Sequence, residues 1–169
     1  SYTKNTAFQF DNLMVHYANR QGNLSTFIQS TDTTSFIVVK NDQIIYEQYA
    51  NGYQENSVNT SFSMAKSVVS LLVGKAIENG SIKSVREPIA NYISEFENRE
   101  IGEVTIEDLL LMRSDIVYQE DKFLWFGDDA LTYWHDDLRK LALSHTELTD
   151  QYNGCFHYNN YHPLLLGII

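Results

Sequence analysis

The stretch SFSMAKSVVSLLVGKAIENG (residues 61–80) decides how this chain is read. Thr60 and Ser61 are capping residues, an apolar run follows, and Gly80 is a helix stop, so the stretch predicts a helix ending near Asn79. Its apolar residues, Met64, Val68, Val69, Leu71, Leu72, Val73, Ala76 and Ile77, fall on nearly every side, which predicts a helix inside a protein. Ser63 and Lys66 stand at its entrance. Residues three apart share a helix face, and this face continues through Ser67, Ser70 and Gly74. Near the interior, desolvation disfavours a lysine's charge and makes the amine a better base. The positive helix end favours an oxyanion beside it. The pair therefore reads as a nucleophile and its base. Taken alone, the same residues also fit a capping serine followed by a snorkelling lysine. Ser-x-x-Lys arises by chance as well: Ser1 and Lys4 form a second pair, on the chain end.

Outward from this helix the chain alternates in character. Residues 8–28 carry weak helical patterning through Phe8, Phe10, Leu13, Met14 and Tyr17. The runs SFIVVK and QIIYEQY around Asn41-Asp42 predict a β-hairpin. SVREPIANYISEF predicts an extended segment with a short helical turn, and TIEDLLLM a short helix capped by Thr105. Residues 115–150 hold nine Asp/Glu against three Lys/Arg, which fits a solvated face or lid with a helix through DDLRKLALS. In NGCFHYNNYHPLLLGII, Gly154 and the Asn pair predict a loop, and Pro163 suits a first helical turn. The fold class is α/β in the α+β sense: a sheet part over residues 30–60 and a mainly helical part over 61–169. No repeat, low-complexity tract or internal linker divides the chain.

Composition narrows the function classes. The 169 residues are 43% hydrophobic, enough for one packed domain. The net charge of −10 opposes nucleic-acid binding and anionic membranes. No apolar run reaches the ~18 residues of a membrane span. Cys155, the single cysteine, reads as a lone loop thiol and excludes an internal disulfide. His157 and His162, five apart in a loop, and His135 beside Asp136 lack metal-ligand spacing and read as surface histidines beside aromatics. No Gly-x-Ser-x-Gly elbow and no phosphate-cradling glycine loop occur. Neither a metal nor another cofactor is called for. The expected partner is a small-molecule or peptide substrate. The compartment stays open, because the chain begins with Ser rather than Met.

Near the end stands Tyr158-Asn159-Asn160. Tyr-x-Asn also occurs at Tyr17–Asn19 and Tyr49–Asn51, in a predicted helix and at a strand end. Tyr158 instead follows a glycine-containing loop and precedes a helix, and loops held by rigid neighbours are common seats of catalytic groups. A phenol near an ammonium can relay a serine proton and later protonate a leaving group. The asparagine can hold the lysine or a substrate amide by hydrogen bonds. An ordinary loop tyrosine fits these residues too.

Together, SFSMAKS, VTIEDLLLMRSDIVY and FHYNNYHPLLLGII, in this order, resemble the β-lactamase-like serine hydrolases. The branch is that of class C β-lactamases, D-alanyl-D-alanine carboxypeptidases, family VIII-type esterases and 6-aminohexanoate-dimer hydrolases. The resemblance runs from about residue 35 to the end. It implies Ser63 as the acylated nucleophile and one oxyanion N–H donor, Lys66 as its base and Tyr158 as the proton shuttle. It implies Asn160 as the motif asparagine at the substrate. It slightly favours an extracytoplasmic protein. Tyr-x-Asn rather than Ser-x-Asn separates the chain from the class A and penicillin-binding branches.

Three departures stand out. Ser114-Asp115 replaces a usual Ser-Gly and is expected to lose a positive-φ turn. Asn153-Gly154 replaces Pro-Gly before the tyrosine motif. The family's third motif, Lys or His then x-Gly on a later strand, has no match after Asn160, and Arg20–Gly22 is misplaced. The chain is therefore expected to be the N-terminal half of one hydrolase domain, truncated before its C-terminal strands. Exposed sheet edges and an uncovered helix would then invite association or await the missing half. The function expected is acyl transfer through Ser63 on an amide, β-lactam or ester. The alternative is a non-catalytic or single-turnover binding module on the same fold, suggested by Asp115 and the acidic region.

Overall fold

A computed structural model describes residues 3–4, 9–17, 19–120 and 127–169. Two compact units divide them, residues 1–60 and 61–169.

The first unit holds β1 (Thr3–Lys4), β2 (Met14–Tyr17), β3 (Arg20–Asn23), α1 (Leu24–Ser30), β4 (Ser35–Lys40) and β5 (Gln43–Tyr49). The expected hairpin is there. β4 pairs antiparallel with β5, and Asn41 and Asp42 take φ of 50° and 59°. Two successive left-handed residues match the right-handed twist of the strands they join. β5 is not a free edge as expected, because β1 pairs parallel with it at Gln43 and Ile44. β4 is an edge of this sheet among the described residues, with Ile37 and Val39 exposed. The weak helical pattern of residues 8–28 misleads. Residues 14–23 form the β2–β3 hairpin, and only Leu24–Ser30 is helical, capped by Asn23 on the Thr26 N–H at 2.8 Å. Four residues per strand are too few to separate period two from period 3.6. Phe8 lies outside the described residues.

The second unit is helical. It holds α2 (Met64–Glu78), three short 3-10 helices (Ile89–Asn91, Ser94–Phe96, Glu100–Glu103), α3 (Ile106–Leu110), α4 (Asp128–Trp134), α5 (Leu138–His145) and α6 (Tyr161–Ile168). α2 ends as expected: Gly80, at φ 77°, donates to Ile77 O and Ser81 to Ala76 O. This pattern closes the last carbonyls through a left-handed residue. Thr105 opens α3 with a capping box, accepting from Asp108 N while the Asp108 carboxylate accepts from Thr105 N. Asp137 caps α5 on Lys140 N at 2.8 Å. α4 went unforeseen, since an acidic stretch offers no apolar stripe. Residues 121–126 of the acidic run lie outside the described residues.

The core of this unit is one cluster. Val73 of α2, Ile89, Ile93, Phe96, Ile101, Ile106, Leu109, Ile116, Leu141, Tyr161 and Leu165 are all buried in it. α2 contradicts the expectation of burial on all sides. Val73 alone is buried, whereas Met64, Leu71 and Leu72 are 75%, 73% and 62% exposed. Only the face carrying Val69, Val73, Ala76 and Ile77 meets the cluster. The opposite face is apolar and exposed among the described residues, with Met64, Val68, Leu71 and Leu72 all more than half exposed.

Gly102 sits where a Cβ would come within 2.4 Å of the Phe96 carbonyl oxygen and 3.0 Å of Ala90 Cβ. Backbone cannot yield there as a flexible side chain does. Gly102→Ala should lower stability by about 1–3 kcal/mol. Gly80→Ala should cost about 1 kcal/mol for the left-handed residue alone. Urea unfolding of both variants checks the order, and an unchanged midpoint for Gly102→Ala contradicts it.

Candidate active site

Ser63 is the N-cap of α2, displacing Thr60 and Ser61 from the expected role. Its hydroxyl makes no capping bond. Lys66 Nζ donates to Ser63 Oγ at 3.1 Å instead. A serine at this position usually satisfies an N–H of the first turn, at about 0.5–2 kcal/mol. Phe62, just before it, has φ 44°. A bulky residue in the left-handed region costs on the order of 1–3 kcal/mol and persists only where its surroundings impose it. The strain lies beside the candidate nucleophile, and residue identity alone gave no sign of it. Ser63 is exposed and Lys66 half-buried, so the amine is not sequestered as expected.

Tyr158 meets both. Lys66 Nζ lies 5.0 Å from the centre of its ring. The Ser63 hydrogen bond holds the phenol below its ordinary value of 10.0; partial burial opposes this and the neighbouring Lys66 adds to it. Tyr158 is 40% exposed. The structure thus brings Tyr158 to the Ser63–Lys66 pair, from which it is distant in sequence.

The segment bearing Tyr158 is stitched to residues 112–118. His157 N donates to Met112 O at 2.8 Å. Asn159, fully buried, donates from Nδ2 to Ile116 O at 3.0 Å and accepts from Tyr161 N at 2.8 Å. Asp115 does not lose the positive-φ turn. It keeps φ 60°, and its carboxylate accepts from Gly154 N at 2.9 and 3.1 Å. An aspartate tolerates the left-handed region when its side chain bonds locally, and here it ties down the loop before Tyr158. At the Asn153-Gly154 replacement both residues take positive φ, 50° and 67°, a backbone that proline at the first position could not adopt.

Asn160 is not on the lysine. Its Nδ2 donates to Tyr118 Oη at 2.7 Å and to Thr132 Oγ1 at 3.1 Å. Tyr118 and Thr132 had no sequence signal, since no regular spacing links them to the tyrosine motif. His162 is also a correction: it is buried, not a surface histidine, with Nε2 at 2.6 Å from Ser114 Oγ and Nδ1 unpartnered among the described residues. His157 is half-buried and stacks on Tyr152 at 4.0 Å. Cys155 is an exposed, free thiol.

Lys66, Ser67 and Ser70 line one side of a cleft of about 210 Å³, with Leu109, Leu110, Met112, Pro163 and Leu166. A larger cavity in the first unit, about 670 Å³, holds none of these groups. Among the described residues no cluster of His, Cys, Asp and Glu is arranged to hold a metal, and no helix is long and apolar enough to cross a membrane.

A serine, a lysine and a tyrosine meet at a helix start. Residues 20–169 match the family model described as Beta-lactamase, and the chain belongs to that family. The chain is similar to the 6-aminohexanoate-dimer hydrolase of Paenarthrobacter ureafaciens, at 26% identity over 104 residues, covering 62% of this chain and 26% of that protein. Its fold matches a solved structure from Bacillus anthracis described as a 6-aminohexanoate-dimer hydrolase, with a TM-score of 0.75 at 22% identity, over 98% of this chain and 46% of that one. The chain spans less than half the length of these relatives.

Burial and the nearby His157 push His162 down to about 4. The unfolded chain binds this proton from about pH 6.5 downward, while the native state resists it. Stability should therefore fall as pH drops from 6.5 toward 4, by a few kcal/mol, and flatten below. Denaturant midpoints across this range check it, and His162→Gln should remove this part of the slope. A slope identical in His162→Gln contradicts the assignment.

Proposed function

We propose that the second unit carries the acylation machinery of a serine hydrolase and that residues 1–169 are the N-terminal portion of its domain. Ser63 Oγ attacks the carbonyl carbon of an amide, β-lactam or ester. The new O–C bond forms as the serine proton passes to the Lys66–Tyr158 pair. Tyr158 then returns a proton to the leaving nitrogen or oxygen as its bond to carbon breaks. Water reverses the sequence and frees Ser63. A phenol held below its ordinary value beside an amine suits a group that accepts and donates a proton. The observation that carries the reading is the Ser63 hydroxyl, released from capping and held by Lys66 at 3.1 Å.

The Ser63 N–H is one oxyanion donor in this reading, and no described carbonyl accepts from it. The second donor and the third motif, which the family resemblance places on a later strand, are not among residues 161–169. Absence of one such donor lowers acylation by about 10²–10³. The 169-residue chain alone should therefore react slowly. The non-catalytic alternative drew on Asp115, and its retained turn weakens that motive.

A fluorophosphonate should add one mass equivalent to the intact protein, and Ser63→Ala should abolish it. Tyr158→Phe should slow labelling by about 10²–10⁴. Labelling that survives Ser63→Ala sinks the assignment. Stoichiometric acylation without steady ester turnover favours the single-turnover alternative.

A further inference from the structure

The first unit holds a cavity that acyl transfer leaves unused. Its volume is about 670 Å³, the size of a small-molecule site. One wall is the β2–β3 ribbon. Val15 pairs with Gly22 and Tyr17 with Arg20, and directly paired residues share a face of the ladder. All four line the cavity. The other wall is α1, which buries Leu24 and Ile28 and turns Thr26 and Phe27 to the cavity. The rings of Tyr17 and Phe27 meet edge to face at 5.7 Å. Beside Val15 the floor is open: a Cβ on Gly22 would meet nothing within 4 Å.

The polar groups favour one sign of charge. Arg20 is the one charged residue among the described lining, and Gln21 beside it is neutral. Neither the Arg20 guanidinium nor the Thr26 hydroxyl has a partner among the described residues. Ser30 Oγ and Thr31 Oγ1 donate to the Phe27 carbonyl at 2.9 and 3.0 Å, so their protons are engaged within α1. No carboxylate lines the cavity among the described residues, in a chain with 22 Asp and Glu and a net charge of −10. A guanidinium without acceptors matches the two oxygens of a carboxylate. One cation in so acidic a chain suits a single carboxylate and disfavours a polyanion or an anionic membrane.

We propose that this cavity binds a small aryl carboxylate, with Arg20 taking the carboxylate and the Tyr17–Phe27 wall taking the ring. Cross-strand partners lie about 5 Å apart at Cβ, so Arg20 sets the anion next to the aromatic wall. Seven helical residues make a wall about 10 Å long, which fits one ring on a short linker rather than a long acyl chain. The ring adds aromatic contacts to those Tyr17 and Phe27 already make. This ligand is an acid and not an acyl donor, and its binding does not depend on the chemistry proposed for Ser63.

The test titrates 4-phenylbutyrate into the nitrogen-15-labelled chain and follows backbone amide shifts. Shifts at Gly22, Thr26 and Phe27 should saturate, with a Kd on the order of 1 mM or tighter. The neutral 4-phenylbutyramide should bind about fivefold more weakly or worse, and acetate, a charge without a ring, should not saturate over the same range. Arg20→Gln should bring acid and amide to within about twofold of each other. Gly22→Val fills the open floor with a residue that strands favour, and should weaken the acid by about fivefold or more. Circular dichroism checks both variants, and Arg20→Gln decides alone if Gly22→Val fails to fold. Acid and amide binding alike in the unmodified protein, no saturation, saturation centred on other residues, or undiminished binding in the folded variants overturns the proposal. Shifts at these residues that follow protein concentration without ligand assign the cavity to a second copy of the chain and overturn it too.

Discussion

The contact on which the rest depends is the one between the Ser63 hydroxyl and the Lys66 amine. A serine at a helix N-cap ordinarily turns its oxygen inward to the first free N–H groups. Here the left-handed Phe62 precedes it, the first turn begins with bonds from Met64 to Ser61 and from Ala65 to Phe62, and the hydroxyl stays outside the cap. Lys66 reaches it because three residues return the chain to the same side. The ring of Tyr158 lies against the same amine. The helix start is thus less stable than its sequence allows, and what it loses in capping it gains as an available nucleophile. Strained and uncapped positions concentrate at functional sites for this reason.

A second constraint holds Tyr158 to that position. The loop before it and the turn after α3 are joined by backbone bonds from His157, by the buried Asn159 and by Asp115 bonding Gly154. The buried Ser114–His162 pair lies in the same region, in the first turn of α6. These bonds tie the loop residue to its neighbours on both sides. They also account for the Ser114-Asp115 departure: the carboxylate supplies a local bond where glycine would supply only freedom.

Sequence reasoning reached the helices and turns whose signals are local. Asn41-Asp42, Thr105 and Gly80 all act where the sequence predicts, whereas the partner roles of Asp108 and Asp137 came only with the structure. Ser63, Lys66 and Tyr158 were found because their chemistry is rare in combination, and the structure places them together. What stayed illegible was relational. Nothing in residues 14–23 tells two short strands from a helix, and the placement of Tyr118 and Thr132 on Asn160 joins positions 28 and 42 residues apart. Periodicity saw that α2 is apolar on nearly every side; it could not see that one face alone meets the core of the second unit. Likewise His162 reads as a loop histidine until α6 carries it inside.

The central claim is that hydroxyl, amine and phenol form one electrostatic unit. A direct measurement is the pH titration of the Tyr158 ring carbon by nuclear magnetic resonance in tyrosine-labelled protein, assigned by loss of the signal in Tyr158→Phe. The account predicts a midpoint below the ordinary 10.0 that moves upward in Lys66→Met and in Ser63→Ala. A Tyr158 phenol that titrates at or above that value, unmoved by either substitution, would contradict it.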